Sequence, residues 1–285
     1  MKIIELKLLK TLLILLYLIL FNHICTAQRV IPEELSIYPT LIEWDQNSSA
    51  SGFFMIHKDN AYLITARHVL FSETRSGLNL ISDSINVSYY PRDPNISSRN
   101  IIMINLNQAY NDSCIFFHND QDVTCLKLGN NINNMISYKH FVTKKSKISK
   151  IALVDSSNVK YFNDVLIGND IFIFGYPASL GIRQDPQFDY LRPLARKGII
   201  AGKNIFNNTI ILDCPAYPGN SGGPVFGSYP RGLSTEFFII GILSEFIPFT
   251  QTWVNTRHRN SYTEISNSGY SVVVPIDRIY EILPK

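Results

Sequence analysis

From residue 38 onward the chain breaks into short runs of β-branched and aromatic residues, each closed by a cluster of Asn, Asp, Gly, Ser or Pro. Gly52–Ile56, Tyr62–Thr65, Ile85–Tyr90, Ile101–Leu106, Cys114–Phe117, Val123–Leu128, Ile171–Gly175, Ile210–Asp213 and Phe237–Leu243 are such runs. Segments this short bury their apolar faces only by pairing into sheets, and so many of them predict an all-β barrel or sandwich. Lys58-Asp59-Asn60 predicts a hairpin turn, since Asp and Asn tolerate left-handed backbone angles. That turn places Tyr62–Thr65 in a strand ending just before Ala66-Arg67-His68. Helical spacing appears at Ile276, Ile279, Tyr280 and Leu283 after Pro275, which predicts a C-terminal helix. The polar stretch 130–163, rich in Lys and Ser, reads as the connection between an N-terminal half of about 36–150 and a C-terminal half of about 160–285.

The first residues follow another pattern. Lys2, Lys7 and Lys10 flank the start of an apolar run from Thr11 to Phe21, and Cys25-Thr26-Ala27 supplies small residues for cleavage. This predicts a signal peptide over residues 1–27, a mature start at Gln28, and a secreted or periplasmic protein. The rival is an uncleaved anchor, but the run falls short of the ~20 residues that a spanning helix needs. Lipidation at Cys25 is a second rival, and Asn22, His23 and Ile24 are not the small residues such a site wants.

The formal charge of +3 is spread along the chain, with Lys144, Lys145, Lys147 and Lys150 as its nearest approach to a patch. That distribution excludes a nucleic-acid footprint and gives no reason for stable membrane insertion after signal cleavage. Cys114, Cys125 and Cys214 remain beyond the leader, enough for at most one internal disulfide. No Cys-x-x-Cys pair or His cluster stands at ligand spacing, so neither a metal nor another cofactor is expected.

The segment that carries chemistry is Pro218-Gly219-Asn220-Ser221-Gly222-Gly223-Pro224. A serine that attacks a carbonyl needs its hydroxyl presented on a tight turn, with backbone N–H groups converging where the oxyanion forms. Glycine at 219 allows the N–H groups of Gly219 and Ser221 to converge in that way. A Gly-x-Ser-x-Gly string also fits the elbow of an α/β-hydrolase, whose serine must lead directly into a helix. Here two glycines, Pro224 and the β-type pair Val225-Phe226 follow, which removes that reading.

Gly-Asn-Ser-Gly-Gly-Pro resembles the nucleophile segment of trypsin-like peptidases, and Asp213–Pro224 is most similar to the bacterial branch that includes the HtrA (Deg) proteases. Leu63-Ile64-Thr65-Ala66-Arg67-His68 resembles that family's strand-end histidine segment, and Asp122-Val123-Thr124-Cys125-Leu126-Lys127-Leu128 its acid-headed strand. The order His, Asp, Ser is that of chymotrypsin. The resemblance implies two six-stranded antiparallel β-barrels packed face to face, with His68 as general base, Asp122 orienting it and Ser221 as nucleophile. Asp120, two residues earlier, is the competitor for the carboxylate role, and His57 beside the hairpin turn is a decoy. Gly219 and Ser221 would form the oxyanion hole.

Ser51-Gly52-Phe53 resembles the family's entry strand, Gly175-Tyr176-Pro177 its Gly-aromatic-Pro turn, and Gly241-Ile242-Leu243-Ser244 the strand lining the specificity pocket. Ser244 would pair with substrate backbone. Pro215 stands where trypsin carries an acid, with Ala216 beside it, which implies small or medium apolar side chains at the cleaved position. The loop from Ser179 to Pro193 would frame the cleft.

Asn220 stands where animal relatives carry the Asp that serves activation, and the resemblance leads us to expect a stand-alone protease domain without the PDZ domains of full HtrA proteins. The function expected is a secreted serine endopeptidase acting on protein or peptide substrates through an acyl-enzyme. The alternative is a catalytically silent protein of the same fold that binds peptides or proteins.

Overall fold

Lys58 and Asp59 both adopt positive φ, 46° and 59°, the pair of left-handed residues that a two-residue hairpin matching strand twist requires. In the computed structural model this turn joins β2 (Ser49–His57) to β3 (Asn60–Thr65). The structure describes residues 33–284 except 46–47, 76, 91–98, 133–134, 146–150, 178–184, 233, 256 and 259, together with positions 10, 12, 14 and 16. All but four positions of the expected leader, and part of the cleft-framing loop, therefore lie outside the described residues. Residues 1–35 and 36–285 are separate units, and the architecture below belongs to the second. Among the described residues no helix is long and apolar enough to cross a membrane.

The N-terminal half contributes β1 (Pro39–Glu43), β2, β3, the single turn α1 (Arg67–Leu70), β4 (Phe71–Thr74), β5 (Gly77–Leu80), β6 (Ser84–Tyr89), β7 (Asn100–Asn105), α2 (Leu106–Asn111), β8 (Ile115–Phe117), β9 (Thr124–Ile132), β10 (Met135–Tyr138) and β11 (Val142–Lys144). The C-terminal half contributes β12 (Asp170–Gly175), β13 (Leu194–Asn204), β14 (Thr209–Asp213), β15 (Pro224–Arg231), β16 (Ser234–Asn255), β17 (Asn260–Pro275) and α3 (Ile276–Ile282). The helix α2 was not foreseen. Its signal is local, because the Asn105 side chain accepts from the Gln108 N–H and caps the first turn.

The result is the expected all-β, chymotrypsin-like architecture with a C-terminal helix, but its halves are unequal. β12-β13-β14-β17-β16-β15 closes into a six-stranded antiparallel barrel. The N-terminal half is a nine-stranded sheet in the order β10-β9-β3-β2-β1-β6-β7-β11, with β8 also on β9. The additional strands arise because β9, paired with β3 from Thr124 to Asn130, also pairs with β8 over Thr124–Leu126 and with β10 over Gly129–Ile132. Both cores are aliphatic and aromatic: Phe53, Phe54, Leu63, Ile64 and Leu126 are buried in the first, and Ile171, Ile173, Ile200, Leu212, Val225 and Val273 in the second.

The expected strand at Phe237–Leu243 is one part of the 22-residue β16. From Pro248↔Asn267 to Asn255↔Asn260, β16 and β17 form a ribbon that carries the exposed side chains Phe249, Trp253, Tyr262 and Ile265.

Candidate active site

β3 ends at Thr65 and Ala66 stays extended (φ −69°, ψ 148°), after which α1 turns the chain. Val69 and Leu70 are buried, so the opposite side of this turn presents His68, whose side chain is 52% exposed. Arg67 reaches across to the loop before β9. Its guanidinium donates to the His118 and Asn119 carbonyls at 2.8 and 2.6 Å and pairs with Glu73 at 2.8 Å. Within that loop the His118 ring nitrogen Nδ1 accepts the N–H groups of Asp120 and Gln121, at 3.0 and 3.1 Å. Sequence reading found neither Arg67 nor His118, because the backbone groups they hold lie far away in sequence or within an irregular loop.

The loop so held delivers Asp122 to His68. The carboxylate accepts the His68 backbone N–H on Oδ1 at 3.0 Å, faces ring Nδ1 with Oδ2 at 2.8 Å, and accepts the Ser244 hydroxyl on Oδ2 at 2.6 Å. Asp120 instead lines a neighbouring polar hollow with Gln121 and Arg278. His57 packs edge-on against Tyr280, away from this cluster, and His258 is exposed at the end of the ribbon.

Burial opposes ionisation of Asp122, but the hydrogen bonds and positive charge of His68, with the Ser244 hydroxyl, outweigh it and hold the carboxyl below its ordinary value. For His68, burial disfavours the charged ring. The Asp122 hydrogen bond and charge, helped by Glu245, outweigh that and the opposing Arg67, so the imidazole titrates above its ordinary value of 6.5.

Ser221 lies on the turn between β14 and β15. Gly219 has φ 96° and Gly222 φ 82°, left-handed angles that L side chains avoid. The turn is closed by Asn220 N–H to the Tyr217 carbonyl and Gly223 N–H to the Asn220 carbonyl, both 3.0 Å. It is tied to β16 by Gly222 N–H to the Leu243 carbonyl at 2.7 Å and Leu243 N–H to the Gly223 carbonyl at 2.9 Å. Among the described residues, the N–H groups of Gly219 and Ser221 bond no backbone carbonyl. Asn220 points inward, 2% exposed.

His68, Asp122 and Ser221 line one cleft of about 710 Å³. Ala216 and Ser244 line it too, while Pro215 does not; Tyr217, Pro218, Leu243 and Phe246 stand there instead. A further wall comes from the β4–β5 hairpin and its flank, through Phe71, Leu78 and Ile81. That wall has no counterpart in the sequence reading. A hydroxyl sharing a cleft with an imidazole that a carboxylate orients is suited to proton transfer from an attacking nucleophile.

The described cysteines Cys114, Cys125 and Cys214 are buried free thiols. Burial raises the first two and pushes Cys214 up to about 11, so none is a ready thiolate. Among the described residues no group of three or more His, Cys, Asp or Glu is placed to hold a metal ion.

A family model described as the trypsin-like peptidase domain matches residues 50–231. No curated protein matches the chain in sequence. Similar solved structures include the serine endoprotease from Yersinia pestis, at 15% identity over 89% of this chain and 66% of that one, with a TM-score of 0.44. The HtrA-type protease AlgW with tripeptide is 16% identical over 88% of this chain and 62% of that one, with a TM-score of 0.47. For Deg5 the values are 15% identity, 87% and 88% coverage, and a TM-score of 0.47. The chain spans just under two thirds of the length of the first two.

Proposed function

We propose, from the premise that this chain belongs to the trypsin-like peptidase family, that it is a serine endopeptidase and that Ser221, His68 and Asp122 carry out its chemistry. The observation that supports this best is the Asp122 carboxylate, which bonds both the backbone and the ring Nδ1 of His68 in a cleft shared with Ser221. With Nδ1–H donated to Asp122, ring Nε2 is left as the free base. In the first half-reaction Ser221 Oγ attacks the scissile carbonyl while His68 takes its proton, and the N–H groups of Gly219 and Ser221 receive the oxyanion. His68 then returns the proton to the leaving amine as the C–N bond breaks, leaving an acyl group on Ser221. Water, deprotonated by His68, attacks the ester, and the proton goes back to Ser221 Oγ as the acid product departs.

Ala216, Tyr217, Leu243 and Phe246 support an apolar pocket for small or medium side chains. Substrates are extended protein or peptide segments, with Ser244 on the strand edge that receives their backbone. The lysine-flanked apolar leader, with small residues before Gln28, supports export.

The decisive experiment treats residues 28–285 with a serine-directed fluorophosphonate and maps the adduct by mass spectrometry. A single adduct on Ser221, absent from Ser221→Ala, is expected. Folded protein that takes none is a silent binding protein, and the proposal fails.

A pH profile gives a second check. The base must be neutral, so kcat/KM should rise with pH through the His68 titration, at a midpoint above 6.5. Glu245→Gln removes a charge that favours the imidazolium and should move the midpoint to lower pH. A midpoint that stays put or rises contradicts the assignment of His68 as base.

A further inference from the structure

Ser51, on β2, is fully buried. Its backbone N–H donates to the Ser221 carbonyl at 2.9 Å. Its hydroxyl donates to the Gly219 carbonyl at 2.7 Å and accepts the Tyr176 N–H at 2.9 Å. A single residue of the N-terminal half thus bonds the carbonyls of the two residues whose own N–H groups are the proposed oxyanion donors. Its own carbonyl accepts the hydroxyl of Thr65, three residues before His68 and at the end of β3, at 2.7 Å. The strand end that leads into His68 and the turn that bears Ser221 therefore meet on one buried serine.

The peptide plane between Gly219 and Asn220 is held at both ends, its carbonyl by the Ser51 hydroxyl and its N–H by the Tyr217 carbonyl. The Gly219 N–H belongs to the preceding peptide plane, which meets this one at the Gly219 Cα, where φ is 96°, a left-handed angle that glycine adopts readily. Without the hydroxyl, the Gly219 carbonyl would be a buried acceptor with nothing to hold it, and the Gly219 Cα that joins this plane to the preceding one would lose its anchor, freeing the preceding plane and the Gly219 N–H it carries to shift. The surroundings leave no slack: a Cβ on Gly175 would stand 3.0 Å from Ser51 Oγ, and one on Gly223 would stand 3.3 Å from Ser51 Cβ.

We infer that Ser51 is a positioning residue for the oxyanion hole, acting through the Gly219 carbonyl rather than by touching substrate; this rests on the peptidase reading of the cleft. Interactions realised only in the transition state change kcat without changing ground-state binding. Deleting an oxyanion donor outright costs about 10²–10³ in kcat, so loosening one through its support should cost roughly 10- to 100-fold.

The test uses Ser51→Ala, with Ile104→Val as a stability reference, since Ile104 is a fully buried residue of β7 remote from the cleft. Each variant is assayed with the best-cleaved peptide from a library digest, and with that peptide's product-side sequence as a boronic acid and as a free acid. The expected result is a kcat about 10- to 100-fold lower in Ser51→Ala with KM within about twofold. Boronate affinity should fall by the same factor while free-acid affinity holds, and Ile104→Val should show neither change. Equal weakening of boronate and free acid, a rise in KM alone, or a loss shared with Ile104→Val at matched stability overturns the inference.

If Ser51→Ala does not fold, Ser51→Cys keeps the size and weakens the hydrogen bonds. The same split is then expected at smaller size, and an unchanged kcat overturns the inference. Wild-type protein that takes neither boronate nor fluorophosphonate overturns the peptidase reading beneath it. Wild type that takes both, with Ser51→Ala equal to it, overturns this inference alone.

Discussion

Asp122→Asn is expected to lower kcat by about 10⁴-fold with little loss of folding stability. The reason lies in which atoms of Asp122 accept which protons. Oδ1 receives the His68 backbone N–H, and Oδ2 receives both the Ser244 hydroxyl and the ring Nδ1–H. An asparagine that keeps its oxygen toward the His68 backbone must put its amide NH2 where Oδ2 stood. Ser244 can answer by rotating its hydroxyl to accept, since a hydroxyl is both donor and acceptor. The imidazole has only one answer: Nδ1 becomes an acceptor and the proton moves to Nε2, where it blocks removal of the Ser221 proton. The variant should retain fluorophosphonate reactivity only at a rate reduced in proportion, and its melting temperature should stay within a few degrees of wild type. A kcat within tenfold of wild type would mean that Asp122 does not set the tautomer.

Gly222→Ala should be the most destabilising single-methyl substitution in the turn. Two effects combine there, and a matched glycine separates them. Gly222 and Gly269 have similar left-handed φ, 82° and 88°. At Gly269 a Cβ would meet nothing within 4 Å, so alanine there bears only the conformational penalty of about 1–2 kcal/mol. At Gly222 the new carbon would stand 2.2 Å from Thr65 Oγ1, 2.3 Å from the Ser51 carbonyl oxygen and 2.8 Å from the Ala66 nitrogen. Two of these are backbone atoms of β2 and of the segment leading to His68, so relief requires the halves to separate. Overpacking of that kind adds about 1–3 kcal/mol, for a total of about 2–5 kcal/mol. In a domain whose whole stability is about 5–15 kcal/mol, that corresponds to a fall in melting temperature on the order of 10 °C. Gly269→Ala should lose no more than about half of this. Equal melting temperatures for the two variants would show that the crowding at Gly222 is relieved by the turn itself.

Asp122→Asn and Gly222→Ala divide the site into what can be seen along a chain and what cannot. The seven residues around Ser221 are adjacent in sequence, and their glycines already state that the backbone must take angles closed to other residues. His68 and Asp122 each sit at the end of an apolar strand, so period and position mark them. Strand existence was legible for the same reason, because burial of one face imposes alternation and the breakers between runs impose ends. The hairpin at Lys58 and Asp59 and the helix after Pro275 follow from equally local rules.

Contacts made across the chain left no such trace. Ser51 meets Gly219 over a separation of 168 residues and Tyr176 over 125, and a buried serine that supports an active turn reads in sequence like any serine in a strand. Arg67 reads as a charged residue beside a histidine until packing brings the His118 and Asn119 carbonyls to it. Pro215 was expected at the cleft and Phe71, Leu78 and Ile81 were not, because a wall is a property of surfaces brought together and no local pattern encodes it. The inequality of the halves has the same origin: β9 is one continuous run in sequence, and only its choice of partners adds strands to the N-terminal sheet. By itself, then, the sequence carried the strand runs and the turn chemistry and nominated Ser221, His68 and Asp122 for the proposed chemistry, since each of these rests on a residue and its near neighbours. The tertiary structure alone decided how those groups are held, because hydrogen bonds and packing between distant segments depend on how the two halves meet.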